Sequence, residues 1–100
     1  MWLNMDSGKT IGQSGSEDGA IILDEEYNCA SRITLERGGV PAPYSITCGI
    51  YGLLVHTVFA DCEAEAIEKY NSIKKELQVF IDSANDDISG EWCKQFINRW

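Results

Sequence analysis

Residues 44–84 read YSITCGIYGLLVHTVFADCEAEAIEKYNSIKKELQVFIDSA, and a change of period inside this stretch decides the fold. Before Ala60 the apolar residues fall on alternate positions, the repeat of half-buried strands. After it, Ala66, Tyr70, Ile73, Leu77, Phe80 and Ala84 follow one another at steps of four, three, four, three and four. Ile67 and Ile81 widen that stripe, so residues 61–84 are expected to form a long amphipathic helix. Asp61 is the expected N-cap, and Glu63, Glu65 and Glu68 place negative charge where the helix dipole favours it.

Within the strand part, Gly49-Ile50-Tyr51-Gly52 is read as the reversal of an antiparallel hairpin, with a single strand bent at the glycines as the alternative. Setting Cys48 opposite Leu53 pairs Ile46 with Val55, Tyr44 with Thr57 and Ser45 with His56. In that register Tyr44, Ile46, Cys48, Leu53, Val55 and Phe59 share one apolar face. Ser45, Thr47, Leu54, His56 and Val58 share the other. Upstream, Ser31 to Arg37 alternates cleanly, with Ile33 and Leu35 on one side and Arg32, Thr34 and Glu36 on the other. Ala20-Ile21-Ile22-Leu23 is a further short strand, and Gly38 to Pro43 is a loop that no ladder could cross.

Downstream, Ile88, Trp92, Phe96 and Trp100 repeat every four residues and predict a short C-terminal helix. Residues 1–19 interleave glycine with serine, show no apolar period and are expected to be a flexible leader. The resulting expectation is an α+β fold. An antiparallel meander of three or four strands packs against the long helix, and residues 20–100 form a single domain.

Composition limits what such a domain can do. Of 100 residues, 44% are hydrophobic, 8 are basic and 16 acidic, for a net charge of −8. Binding nucleic acid through its phosphates needs clustered Lys and Arg, which this chain lacks. No apolar run approaches the roughly 20 residues of a membrane helix, and the N-terminus shows no signal-peptide pattern, so a cytoplasmic protein is expected. Cys29, Cys48, Cys62 and Cys93 form no Cys-x-x-Cys pair, and there is a single histidine, so no metal or cofactor is expected.

The acidity is not one patch, because residues 1–60 and 61–100 each net −4, from 3 basic and 7 acidic residues and from 5 and 9. The acids without a local structural reason are Glu17, Asp18, Asp24, Glu25 and Glu26, and they mark where a basic protein partner would be steered. Leu54 and Val58, with Trp92, Phe96 and Trp100, exceed the apolar surface that one sheet face needs. They are the candidate interface, and a homodimer is the expected form of that contact. The leading reading is therefore a small acidic interaction or regulatory module without catalytic activity. The rival is a small hydrolase-like enzyme built on His56, Ser45 and Tyr51, in which the imidazole activates the serine hydroxyl.

Overall fold

Alternating residues do build strands here, and the three-four period that follows builds a helix. The computed structural model describes residues 1–83 and 89–100. Its strands are β1 (Trp2–Asn4), β2 (Ala20–Tyr27), β3 (Ser31–Arg37), β4 (Tyr44–Ile50) and β5 (Leu54–Ala60). Two helices follow, α1 (Glu63–Ser83) and α2 (Ser89–Arg99). The five strands form one sheet in the order β1-β2-β3-β4-β5, every neighbouring pair antiparallel. The α+β meander is thus as expected, with one strand more.

The extra strand comes from the glycine- and serine-rich leader. Trp2 lies opposite Tyr27, their rings 5.1 Å apart, and the Trp2 indole N–H donates to Gln78 Oε1 at 3.1 Å. Farther along, Gly12 N–H donates to Ile21 O at 2.8 Å and Ile21 N–H to Gln13 O at 2.9 Å. The bonds that lay residues 12–15 beside β2 are backbone bonds, which leave no side-chain period to read.

The β4–β5 hairpin corrects the expected register. Cys48 faces His56 rather than Leu53, Ile46 faces Val58, and Tyr44 faces Ala60. The loop is Tyr51, Gly52 and Leu53, closed by Leu53 N–H donating to Ile50 O at 2.9 Å. Gly52 supplies the positive φ of +76° that the loop requires. Moving the reversal past Ile50 turns every β5 side chain to the opposite face. Leu53-Leu54-Val55 and Val58-Phe59 are apolar at both parities, so alternation alone fits either register.

One sheet face packs against the helices. Ile33, Leu35, Ile46, Cys48, Ile50, Val58 and Ala60 meet Ala66, Tyr70, Ile73 and Leu77 of α1, all buried. Each large aliphatic side chain buried there contributes about 1.5–3 kcal/mol. Polar latches fix the helix on the sheet: Tyr70 Oη donates to Glu25 Oε1 at 2.7 Å, and Lys74 Nζ reaches both Glu25 oxygens at 2.9 Å. Tyr27 Oη donates to Asp82 Oδ1 at 2.6 Å. Cys62 O accepts the first helical bond, from Ala66 N–H at 3.0 Å, so Cys62 and not Asp61 holds the cap position.

Val58, expected on the outer face, is in this core, and so is Phe96. Trp92 stacks between Phe80 and Phe96 at 4.2 and 5.0 Å. Trp100 Nε1 donates to Glu76 Oε2 at 2.8 Å, while Arg99 pairs with Glu76 Oε1 at 2.7 Å. The aromatic surplus of α2 is thus packed against α1 and β5. Ala84 and Ile88 in the expected stripes, and Asn85, Asp86 and Asp87 at the expected helix end, lie outside the described residues.

Candidate functional site

Neither α1 nor α2 packs on the other face of the sheet, and period-two alternation gives it a polar centre. Thr34, Thr47 and Thr57 stand side by side across β3, β4 and β5, and Glu36, Ser45 and Phe59 form the next row. Residues 10–16 cross above this face, and Ser16 Oγ approaches Thr47 Oγ1 at 3.5 Å. Between segment and sheet lies a cleft of about 700 Å³. Arg32, Thr34, Glu36 and Thr47 are on its sheet side, and Thr10, Gly15 and Ser16 on the opposite side. The β4–β5 loop adds Tyr51 and Leu53, followed by Val55 at the start of β5. That wall is exposed and apolar: Val55 is 79% accessible.

Two buried acids lie on this face, and they differ in how they are satisfied. Asp24 takes a two-pronged contact from Arg32, Nε to Oδ1 at 2.9 Å and Nη2 to Oδ2 at 2.7 Å, and a third bond from Thr34 Oγ1 at 3.0 Å. Burial pushes the Asp24 pKa up, but the bonds from Arg32 and Thr34, with Thr10 nearby, outweigh it and hold the carboxyl below its ordinary value. Thr10 Oγ1 leans toward this carboxylate without reaching hydrogen-bond geometry. Glu36 is also buried, at 1% exposure. Its Oε1 accepts N–H bonds from Glu17 and Gly19 at 3.1 Å each, which holds residues 17–19 against the sheet. Its Oε2 is buried with no partner. Gly15 sits directly on this carboxylate, where a Cβ would overlap it.

The sequence-derived catalytic set does not converge. His56 is half-buried on the helix side, its ring edge-on to Phe96 at 6.2 Å and its Nε2 without a partner. Ser45 is on the opposite face, paired with Phe59 in register, and its buried Oγ is also unpartnered. Tyr51 Oη donates to Glu26 Oε2 at 2.6 Å. Burial first, then that bond, push the tyrosine pKa up to about 12. The revised register also places Cys48 and His56 on the same face as direct neighbours. The Cys48 thiol nevertheless donates to the His56 backbone carbonyl at 3.5 Å, and burial, with Glu76 adding to it, pushes its pKa up to about 12. A thiol held neutral in this way is no nucleophile at physiological pH.

The expected acidic surface divides. Glu25 is latched to the helix, and Glu26 and Asp24 are engaged on the outer face. Glu17 and Asp18 ride on the loop that Glu36 holds. Of the expected interface set, Val58 and Phe96 are interior, and Leu54, Trp92 and Trp100 are partly buried against the core. Sequence reasoning missed the roles of Arg32 and Glu36, because charged residues alternating along a strand read as a solvated face. The position of residues 10–16 is the missing information, and no side-chain pattern announces it. Among the described residues, no three metal-ligating side chains cluster, and no helix is long and apolar enough to cross a membrane. Comparison with protein-family models, curated proteins and solved structures found no match.

Proposed function

We propose that this chain is a protein-interaction module without catalytic activity, and that it takes its partner on the outer sheet face. The observation that carries this reading is the cleft itself. It has the volume of a ligand site, an apolar wall at Leu53 and Val55, and fixed polar groups on its floor. The hydrolase alternative lacks geometry, since Ser45 and His56 face opposite sides of the sheet. Self-association through the C-terminal aromatics is weakened because those rings are spent within the chain. A homodimer would instead use Val55 and Phe59 on the outer face. Four free thiols suit a reducing compartment such as the cytoplasm.

Peptide display against the immobilised chain tests the reading, with Val55→Asp as the matched bait. Val55 is exposed, so the substitution leaves the fold intact. Peptides enriched on the native chain and lost on the variant are the expected result. No enrichment, or equal enrichment on both, overturns it.

A further inference from the structure

We infer that the outer-face cleft receives a lysine or arginine side chain of a partner polypeptide, whose charged head docks against Glu36. The inference rests on reading the outer face as the binding surface, and goes beyond it by naming what is recognised.

The charges lining the cleft point to a cation. Arg32 is its only positive group among the described lining residues, and both prongs of its contact are committed to Asp24. That pair cancels its own charge. Glu36 is left over: among the described residues no lysine or arginine pairs with it. Its Oε1 satisfies two backbone N–H groups of the 17–19 loop, while Oε2, equally buried, has nothing. A buried charge in that condition is costly unless a cation or strong donor completes it; because Gly15 covers this carboxylate, the head group reaches it as residues 12–16 move aside.

The rest of the cleft suits the remainder of such a side chain. Methylene stems of Lys and Arg lie along apolar surface while the head is held elsewhere, and Leu53 and Val55 supply that surface. Flanking partner residues would rest on the same wall. The net charge of −8 favours approach of a basic segment.

The loop contact of Glu36 is separable from the proposed one. Glu36→Gln retains a carbonyl oxygen for the Glu17 and Gly19 N–H groups but removes the charge and puts an amide donor where Oε2 stands. The fold and the loop should survive while cation recognition is lost.

The test uses fluorescence anisotropy with capped, dye-labelled hexapeptide pools. One position is fixed as lysine, arginine or the uncharged isostere norleucine, and the others are randomised over apolar and small residues. The lysine and arginine pools should bind the native chain, and the norleucine pool should bind roughly tenfold more weakly or worse, the scale of a lost charge-assisted bond. Glu36→Gln should erase that preference. Equal binding of all three pools, or a basic preference that persists in Glu36→Gln, overturns the inference while leaving the interaction surface standing. Binding of none of the pools overturns both. Should the variant not fold, the comparison of lysine with norleucine on the native chain still decides.

Discussion

The pair Arg32–Asp24 should respond unequally to removal of its two members. The carboxylate side chain is 0% exposed and the guanidinium side chain 38%. Arg32→Met strands a buried carboxylate with only Thr34 Oγ1 at 3.0 Å to help it. Breaking a buried pair in this way costs about 3–5 kcal/mol. In Asp24→Asn the arginine can turn its head to water, so the loss is nearer to that of charged hydrogen bonds, about 1.5–3 kcal/mol. The double variant should cost less than the sum of the two, because no buried charge is left over.

The pH dependence follows from the sign of the Asp24 shift. Its folded pKa lies below the ordinary carboxyl value of 3.8. The native pair therefore contributes its full stability above that unfolded value, and loses it as pH falls through the lower folded value. In Arg32→Met the carboxyl has lost its cation, so the deficit of the variant should shrink as the medium is acidified and the buried group takes up a proton. Urea unfolding followed by tryptophan fluorescence, at neutral pH and again in acid, measures all of this. Equal costs for the two single variants, or a larger cost for Asp24→Asn, would refute the reasoning.

Other expectations follow from the same packing. Thiol titration should modify exposed Cys29 and Cys62 first, and reach buried Cys48, its pKa raised to about 12, only when the chain unfolds; early labelling of Cys48 would contradict its place in the core. Gly15→Ala should displace the segment over the cleft, because its Cβ would overlap the Glu36 carboxylate. An overpacking cost of about 1–3 kcal/mol is expected in chemical denaturation, and an unchanged midpoint would show that Gly15 does not rest on Glu36.

How far the sequence could be read depended on whether side chains carried the signal. The α1 stripe was legible because Ala66, Tyr70, Ile73 and Leu77 are the residues that face the sheet. The β3 alternation was legible for the same reason, with Ile33 and Leu35 buried at 0%. The 12–15 segment was not, since backbone groups make its bonds, and β1, only 3 residues long, is too short to show a period. The β5 face was misread because Leu53, Leu54 and Val55 offer apolar residues to either register. That single parity error put Val58 outside, set Ser45 beside His56 and suggested a catalytic pair. Glu36 was visible only as one polar residue in an alternating strand. Its importance comes from Gly15, Glu17 and Gly19 folding back over it, a contact between segments that alternation cannot encode.

The outer face is the proposed binding surface, and amide NMR titration of the native chain with the lysine hexapeptide pool tests that most directly. Gly15, Thr34, Thr47 and Val55, which line the cleft, should shift, with α2 unperturbed. Shifts concentrated at Trp92 and Trp100, or no shifts at all, would contradict it.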